Sequence, residues 1–153
     1  ILINSLIHKN IEIVKKITKK YGNQFVIGGI DFLIEDEIYK IYIDHGKKKL
    51  SISIEDCLKK FQECNIGEIL VQSIERDGSL RGYDNEINTK IKKNTNLPVI
   101  VCGGAGNWDH FIEAFNISNV DGVCTNNIYH YSEKSLTLIK RTLDKKGIYV
   151  RTE

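Results

Sequence analysis

The sequence has no methionine, a single proline and a single tryptophan, and its four cysteines form no CxxC pair. Each scarcity excludes something. Without a Pro- or Ser/Gly-rich stretch there is no sign of a linker, so one domain is expected. No apolar run approaches the roughly 18 residues of a membrane span, and Ile1-Leu2-Ile3 is too short and wrongly flanked for a signal peptide. A net charge of +2 supplies no basic field for nucleic acid or an anionic membrane. Cys57 and Cys64 are seven apart, two turns along one helix face, too far for a disulfide or a shared metal. All four cysteines, Cys102 and Cys124 included, read as buried free thiols of a reducing cytoplasm. A chain without Met that opens on Ile is expected to be part of a longer protein.

What is present is globular: 41% hydrophobic and 27% charged residues over 153 positions, enough for one core. Ile1 to Ile3 reads as the tail of a strand ending at Asn4-Ser5. His8 to Tyr21 carries Ile11, Val14 and Ile17 at helical spacing, with Gly22 as a stop. Gln24 to Ile30 is a short apolar strand ending on Asp31. Its Gly28 and Gly29 suit a place where another backbone or a ligand comes close. Asp31 to Ile34, Glu37 to Asp44 and Lys49 to Ile52 form a two- or three-stranded excursion that turns at His45-Gly46. Ser53-Ile-Glu-Asp56 starts a helix that runs on through Cys57 to Cys64.

Two strands then end in chemistry rather than in plain turns. Glu68 to Val71 breaks into a loop with Glu75, Asp77 and Gly78, and Pro98 to Cys102 stops at Gly103-Gly104-Ala105-Gly106. Between them Asn85 to Lys93 is helical. Asn107 to Phe115 is a helix, Asp121 to Thr125 a strand ending at Asn126-Asn127, and Lys134 to Lys145 a last helix. Alternating helices and strands apolar on both faces specify a parallel sheet covered by helices. That is an open doubly wound sheet or a partial (β/α)8 barrel. The missing translation start favours the barrel.

In a barrel the carboxyl ends of the strands form the active face. Those ends carry Asn4, Asp31, Ser73 with Glu75 and Asp77, Cys102 with Gly103 and Gly104, and Asn126 with Asn127. Asp31 either caps a loop or belongs to a site; its place after an apolar run with glycines favours a site. Gly103 to Gly106 is either a tight turn or a phosphate cradle. Lys47-Lys48-Lys49 reads as a solvated face, and His110 and His130 as structural.

Gly67-Glu-Ile-Leu-Val-Gln-Ser-Ile-Glu-Arg-Asp-Gly-Ser-Leu-Arg-Gly-Tyr-Asp84 resembles the cyclase subunit of imidazole glycerol phosphate synthase. So do Leu97 to Gly106, His110 to Phe115, Ile128-Tyr-His130 and Lys145 to Arg151. The resemblance implies a ribulose-phosphate-binding type (β/α)8 TIM barrel. Residues 1–153 would be its carboxyl-terminal part, about the fourth to eighth strands, with the amino-terminal part missing. It implies a lyase of histidine biosynthesis, using ammonia from a glutamine amidotransferase partner. The phosphorylated substrate, a phosphoribulosyl-formimino aminoimidazole carboxamide ribonucleotide, would become imidazole glycerol phosphate and AICAR. Asp31 matches one of two catalytic aspartates; the other would lie in the missing half. Asp77, Gly78, Gly103, Gly104, Asn126 and Asn127 match positions at one substrate phosphate, and Asn4 and Ser5 positions near the substrate's other end. No cofactor or metal is implied, and the location is the cytoplasm.

The chain departs from that pattern in Cys102, where Ser is usual, in Asn126-Asn127, in Glu75 and in Phe32-Leu33. Departures at substrate-facing positions would suit a paralogue from surface-polysaccharide gene clusters, linked to amidation of a sugar. An inactive barrel fragment is the non-enzymatic reading.

Overall fold

The computed structural model describes residues 1–126, 128–131 and 136–151; Asn127 and the side chain of His130 lie outside what it describes. The elements in order are β1 (Leu2–Ile3), α1 (Ser5–Lys9), α2 (Ile11–Tyr21), β2 (Ile27–Glu35), β3 (Ile38–Ile43), β4 (Lys48–Lys49), α3 (Ile54–Glu63), β5 (Glu68–Ser73), α4 (Asn85–Lys93), β6 (Val99–Cys102), α5 (Trp108–Ser118), β7 (Gly122–Cys124), α6 (Ile128–Tyr131) and α7 (Leu136–Lys145).

Local chemistry sets the helix ends. Ser53, Asp84 and Asn107 each accept a backbone N–H from the first turn of α3, α4 and α5, a cap worth about 1 kcal/mol apiece. The single helix expected over His8 to Tyr21 is two helices. Asn10 leaves the helical region (φ −152°, ψ 84°), and its side chain accepts from the N–H of Ile13 to start α2 afresh. α5 runs one turn beyond Phe115, to Ser118, where Asn119 closes it in the left-handed region.

β2 is longer than its apolar run. It pairs in parallel with β1 through Ile27 and Gly28 and with β5 from Ile27 to Phe32, then antiparallel with β3 from Asp31 to Glu35. Asp31 therefore lies inside a strand, at the junction of the parallel sheet and the hairpin, and not in a loop after it. The third excursion strand is only Lys48–Lys49; Leu50 N–H still donates to Ile41 O at 2.9 Å, and the chain then leaves the ladder to enter α3. The sheet path is β4-β3-β2-β5-β6-β7, with β1 beside the first part of β2.

The two faces differ. Ile30, Phe32, Ile69, Val71, Val99 and Val101 are fully buried beneath Phe61, Ile87, Ile91 and Phe111 of the helical layer and Ile66 of the α3–β5 connection. Leu70, Gln72, Ile100 and Cys102, alternating with them, are half-buried, and Cys124 is exposed. A doubly wound sheet would bury both faces, so the architecture is a partial barrel with one face open. That open face also corrects the cysteine reading: Cys57 and Cys64 are buried, Cys102 is half-buried and Cys124 exposed.

Gly28 belongs to this packing. A Cβ there would meet Ile66 Cδ1 at 2.4 Å and Phe61 Cε2 at 2.8 Å. Gly28→Ala should cost about 1–3 kcal/mol by overpacking, read by urea unfolding. Adding Ile66→Val, which removes the clashing methyl, should recover part of it; strict additivity of the two changes would contradict this seam. Phe61→Ala, at a fully buried ring, should cost about 3–5 kcal/mol.

Candidate functional site

Three register pairs place four side chains in one row across the carboxyl end of the sheet. Asp31 is opposite Gln72, Gln72 opposite Cys102, and Cys102 opposite Cys124. Same-face residues recur every second position in each strand, so a single register aligns them all. At about 4.8 Å per strand, the row spans at most roughly 14 Å. Asp31 stands at one end and a cavity of about 390 Å³ at the other, lined by Asp77, Gly78, Cys102, Gly103, Gly104, Ala105, Cys124, Thr125 and Asn126.

At the first end, burial raises the Asp31 carboxyl above the usual carboxylate range, opposed by the Asn4 amide and by His45. Both polar atoms of the Asn4 side chain are buried without a hydrogen-bond partner among the described residues. Gly29 makes room for that side chain: a Cβ would lie 3.2 Å from Asn4 Cβ. Ser5 is otherwise engaged, its Oγ accepting the N–H of Asp44 at 2.9 Å. Lys9 pairs with Asp44 as well, so the hairpin turn is tied back over the Asp31 end.

At the second end, the loop 74–84 after β5 forms the wall. Arg76 holds it from within: Nη1 donates to the carbonyls of Gly82 and Tyr83, both at 3.3 Å, and Nε lies 3.5 Å from buried Asp84. Asp84 Oδ1 also accepts from Tyr39 and from the N–H of Ile87. The loop then seats on its neighbours. Gly82 N–H donates to Gly104 O at 2.7 Å, and the Tyr83 hydroxyl donates to Cys124 O at 3.1 Å.

The glycine run answers to this contact. A Cβ on Gly104 (φ +112°) would sit 2.2 Å from Gly82 O, one on Gly103 2.7 Å from Ser73 O, and one on Gly106 2.3 Å from Leu80 O. Tight turn and cavity wall are thus the same object: the glycines admit a neighbouring backbone, and Gly103 and Gly104 also face the cavity. The Gly106 N–H is taken by His110 Nδ1 at 3.0 Å, which makes His110 structural, as its position suggested.

Of the expected residues, Asp77, Gly78, Gly103, Gly104 and Asn126 come together, Asn4 and Asp31 form a second cluster, and Ser5 lies beside the latter. Asn127 is outside the described residues. Glu75 faces away, in an exposed pair with Arg81 at 3.1 Å. Gln72 joins the clusters, donating to Asp77 at 3.3 Å from its place beside Asp31.

Residues 1–135 match the model of the family described as histidine biosynthesis protein. The chain belongs to the histidine biosynthesis protein family. It is similar to imidazole glycerol phosphate synthase subunit HisF of Chlorobium limicola, 34% identical over 149 residues, covering 97% of this chain and 59% of that protein. The same subunit of Natranaerobius thermophilus gives 34% over 149 residues, with 97% and 59% covered. That of Pelodictyon phaeoclathratiforme gives 36% over 139 residues, with 91% and 55% covered. The chain thus spans about six-tenths of the length of these relatives. Members of this histidine biosynthesis family are (β/α)8 barrels, and the open parallel sheet described above is part of one.

Gln72, Arg76, Tyr83 and Asp84 sit inside the motif that carries the resemblance, yet nothing in their spacing marked them as site residues. Gln72 could have been found by extending the period of Leu70 by two along β5. The Arg76–Asp84 pair depends on a loop closing on itself and has no local signal.

Two expectations follow. A carboxyl raised by burial opposes the fold when ionised, so the stability contributed by neutral Asp31 is present at low pH and lost as pH rises through its folded pKa. Asp31→Asn should keep or raise the melting temperature at pH 7, with the difference shrinking toward pH 3; a large fall at pH 7 would make Asp31 a structural cap. Gly104→Ala should lower the melting temperature, measured by calorimetry, because its Cβ would meet the Gly82 carbonyl.

Proposed function

We propose that this chain supplies about the fourth to eighth strands of a cyclase barrel acting in histidine biosynthesis, in the cytoplasm, with ammonia from a glutamine amidotransferase partner. The observation that carries this reading is the row from Asp31 to the glycine-walled cavity. It suits an elongated substrate whose phosphate is held at Asp77, Gly78, Gly103, Gly104 and Asn126, with Asn127 next in the chain, while its reacting end lies near Asn4, Ser5 and Asp31. Asp31 is the catalytic acid. A carboxyl raised by desolvation keeps its proton closer to neutral pH, so it can donate to a leaving nitrogen and take a proton back during ring closure. The buried Asn4 amide, which acts on the Asp31 carboxyl, positions that group. Cyclisation needs a second aspartate, which this reading places in the amino-terminal part of the full-length protein.

A second reading, ammonia transfer to a sugar in surface-polysaccharide synthesis, is favoured by one observation. Cys102 and Asn126, two of the departures from the usual pattern, line the cavity itself. The full-length gene should restore growth to a histidine auxotroph lacking the cyclase, and Asp31→Asn in that gene should abolish rescue at unchanged protein level. Failure of well-expressed wild-type protein to rescue would move the assignment to the sugar reading. Residues 1–153 alone should show no cyclase turnover; measurable turnover would overturn the two-aspartate mechanism.

A further inference from the structure

Cys102 and Cys124 take no part in the reaction proposed above, yet their placement is specific. They are direct register partners on the adjacent parallel strands β6 and β7. Neighbouring strands run about 4.7–4.9 Å apart, inside the roughly 4.4–6.8 Å of Cα separation that a disulfide spans. Both side chains line the same cavity, so they project from the same face. The backbone beneath is held: Tyr83 clamps the Cys124 carbonyl, and Gly122 packs against Ile100, where a Cβ would come within 3.3 Å. Both sulfurs are free in this structure.

We infer that Cys102 and Cys124 are a thiol–disulfide modification site in the wall of the cavity, oxidised by a small-molecule disulfide of the glutathione type. Cys124 is exposed and is reached first. Its thiolate attacks one sulfur of the oxidant, forming a mixed disulfide and expelling one thiolate, which takes up the proton Cys124 lost. Cys102 Sγ then attacks Cys124 Sγ, gives up its own proton and releases the second small thiol. The balance is one disulfide consumed, one formed, and two thiols released. Burial, with Cys124 adding to it, pushes the Cys102 thiol up to about 12, which suits the resolving and not the initiating sulfur. Oxidation ties the edge strand β7 to β6 and replaces two weak S–H donors on the cavity wall with a bond that donates nothing. This holds whichever substrate the cavity takes.

The test uses the full-length protein treated with oxidised glutathione, alkylated under denaturing conditions and cleaved after Glu113, which lies between the two cysteines. The expected product joins the Cys102 and Cys124 peptides at two hydrogens below their summed mass, reverts under reductant, and leaves Cys57 and Cys64 alkylated. Cys102→Ser should instead hold a glutathionyl group on Cys124. Wild-type protein that retains glutathione on Cys124 beside a free Cys102, or that remains alkylated at both, would overturn the inference.

Discussion

The geometry of the cavity rests on the Arg76 guanidinium, which folds the segment after β5 around itself. It binds two carbonyls of that segment and faces buried Asp84, the residue that also caps α4 and receives the Tyr39 hydroxyl. A buried carboxylate without a cation nearby would be costly. With Arg76 in place, one loop can reach β3, the turn after β6 and β7 at once through Asp84, Gly82 and Tyr83. The glycines after β6 are the complement of that loop, since its backbone occupies the space their side chains would need.

Onto this rigid end the sheet adds a second constraint. Parallel pairing with a period of two brings Asp31, Gln72, Cys102 and Cys124 to one level, with Gln72 bridging toward Asp77. The apolar partners of these residues lie on the opposite face, under the helices, so a slip of one residue in any strand would bury its polar member and expose a core side chain. Packing and site are therefore set by the same register. The hairpin that continues β2 adds the remaining feature: Ser5 and Lys9 anchor its turn, and His45 in that turn opposes the upward shift that burial gives the Asp31 carboxyl.

Much of this was legible in the chain. α4 begins and ends where its pattern places it, because Asp84 is a cap and Ile87 and Ile91 mark one face. The two loops that build the cavity were marked by Asp77-Gly78 and by the glycine run, since their residue types are those that strand ends need for tight backbone approach. Less was visible at Asn10, where a capping side chain divides what periodicity reads as one helix, and at Asp31, which a polar side chain made look like the end of its strand. Ladder hydrogen bonds to β3 and β5, and not side-chain polarity, decide where β2 stops.

By itself the sequence determined the alternation of strands and helices, the family and the strand ends that carry chemistry, because these depend on period, capping and local turn stereochemistry. Only the tertiary structure decided that Asp31 lies within a strand, that Gln72 joins the two clusters, that Arg76 and Asp84 brace the wall, and that two cysteines distant in sequence are neighbours on an open face. Those facts follow from strand register and loop closure, which bring together residues whose separation along the chain holds no record of the contact.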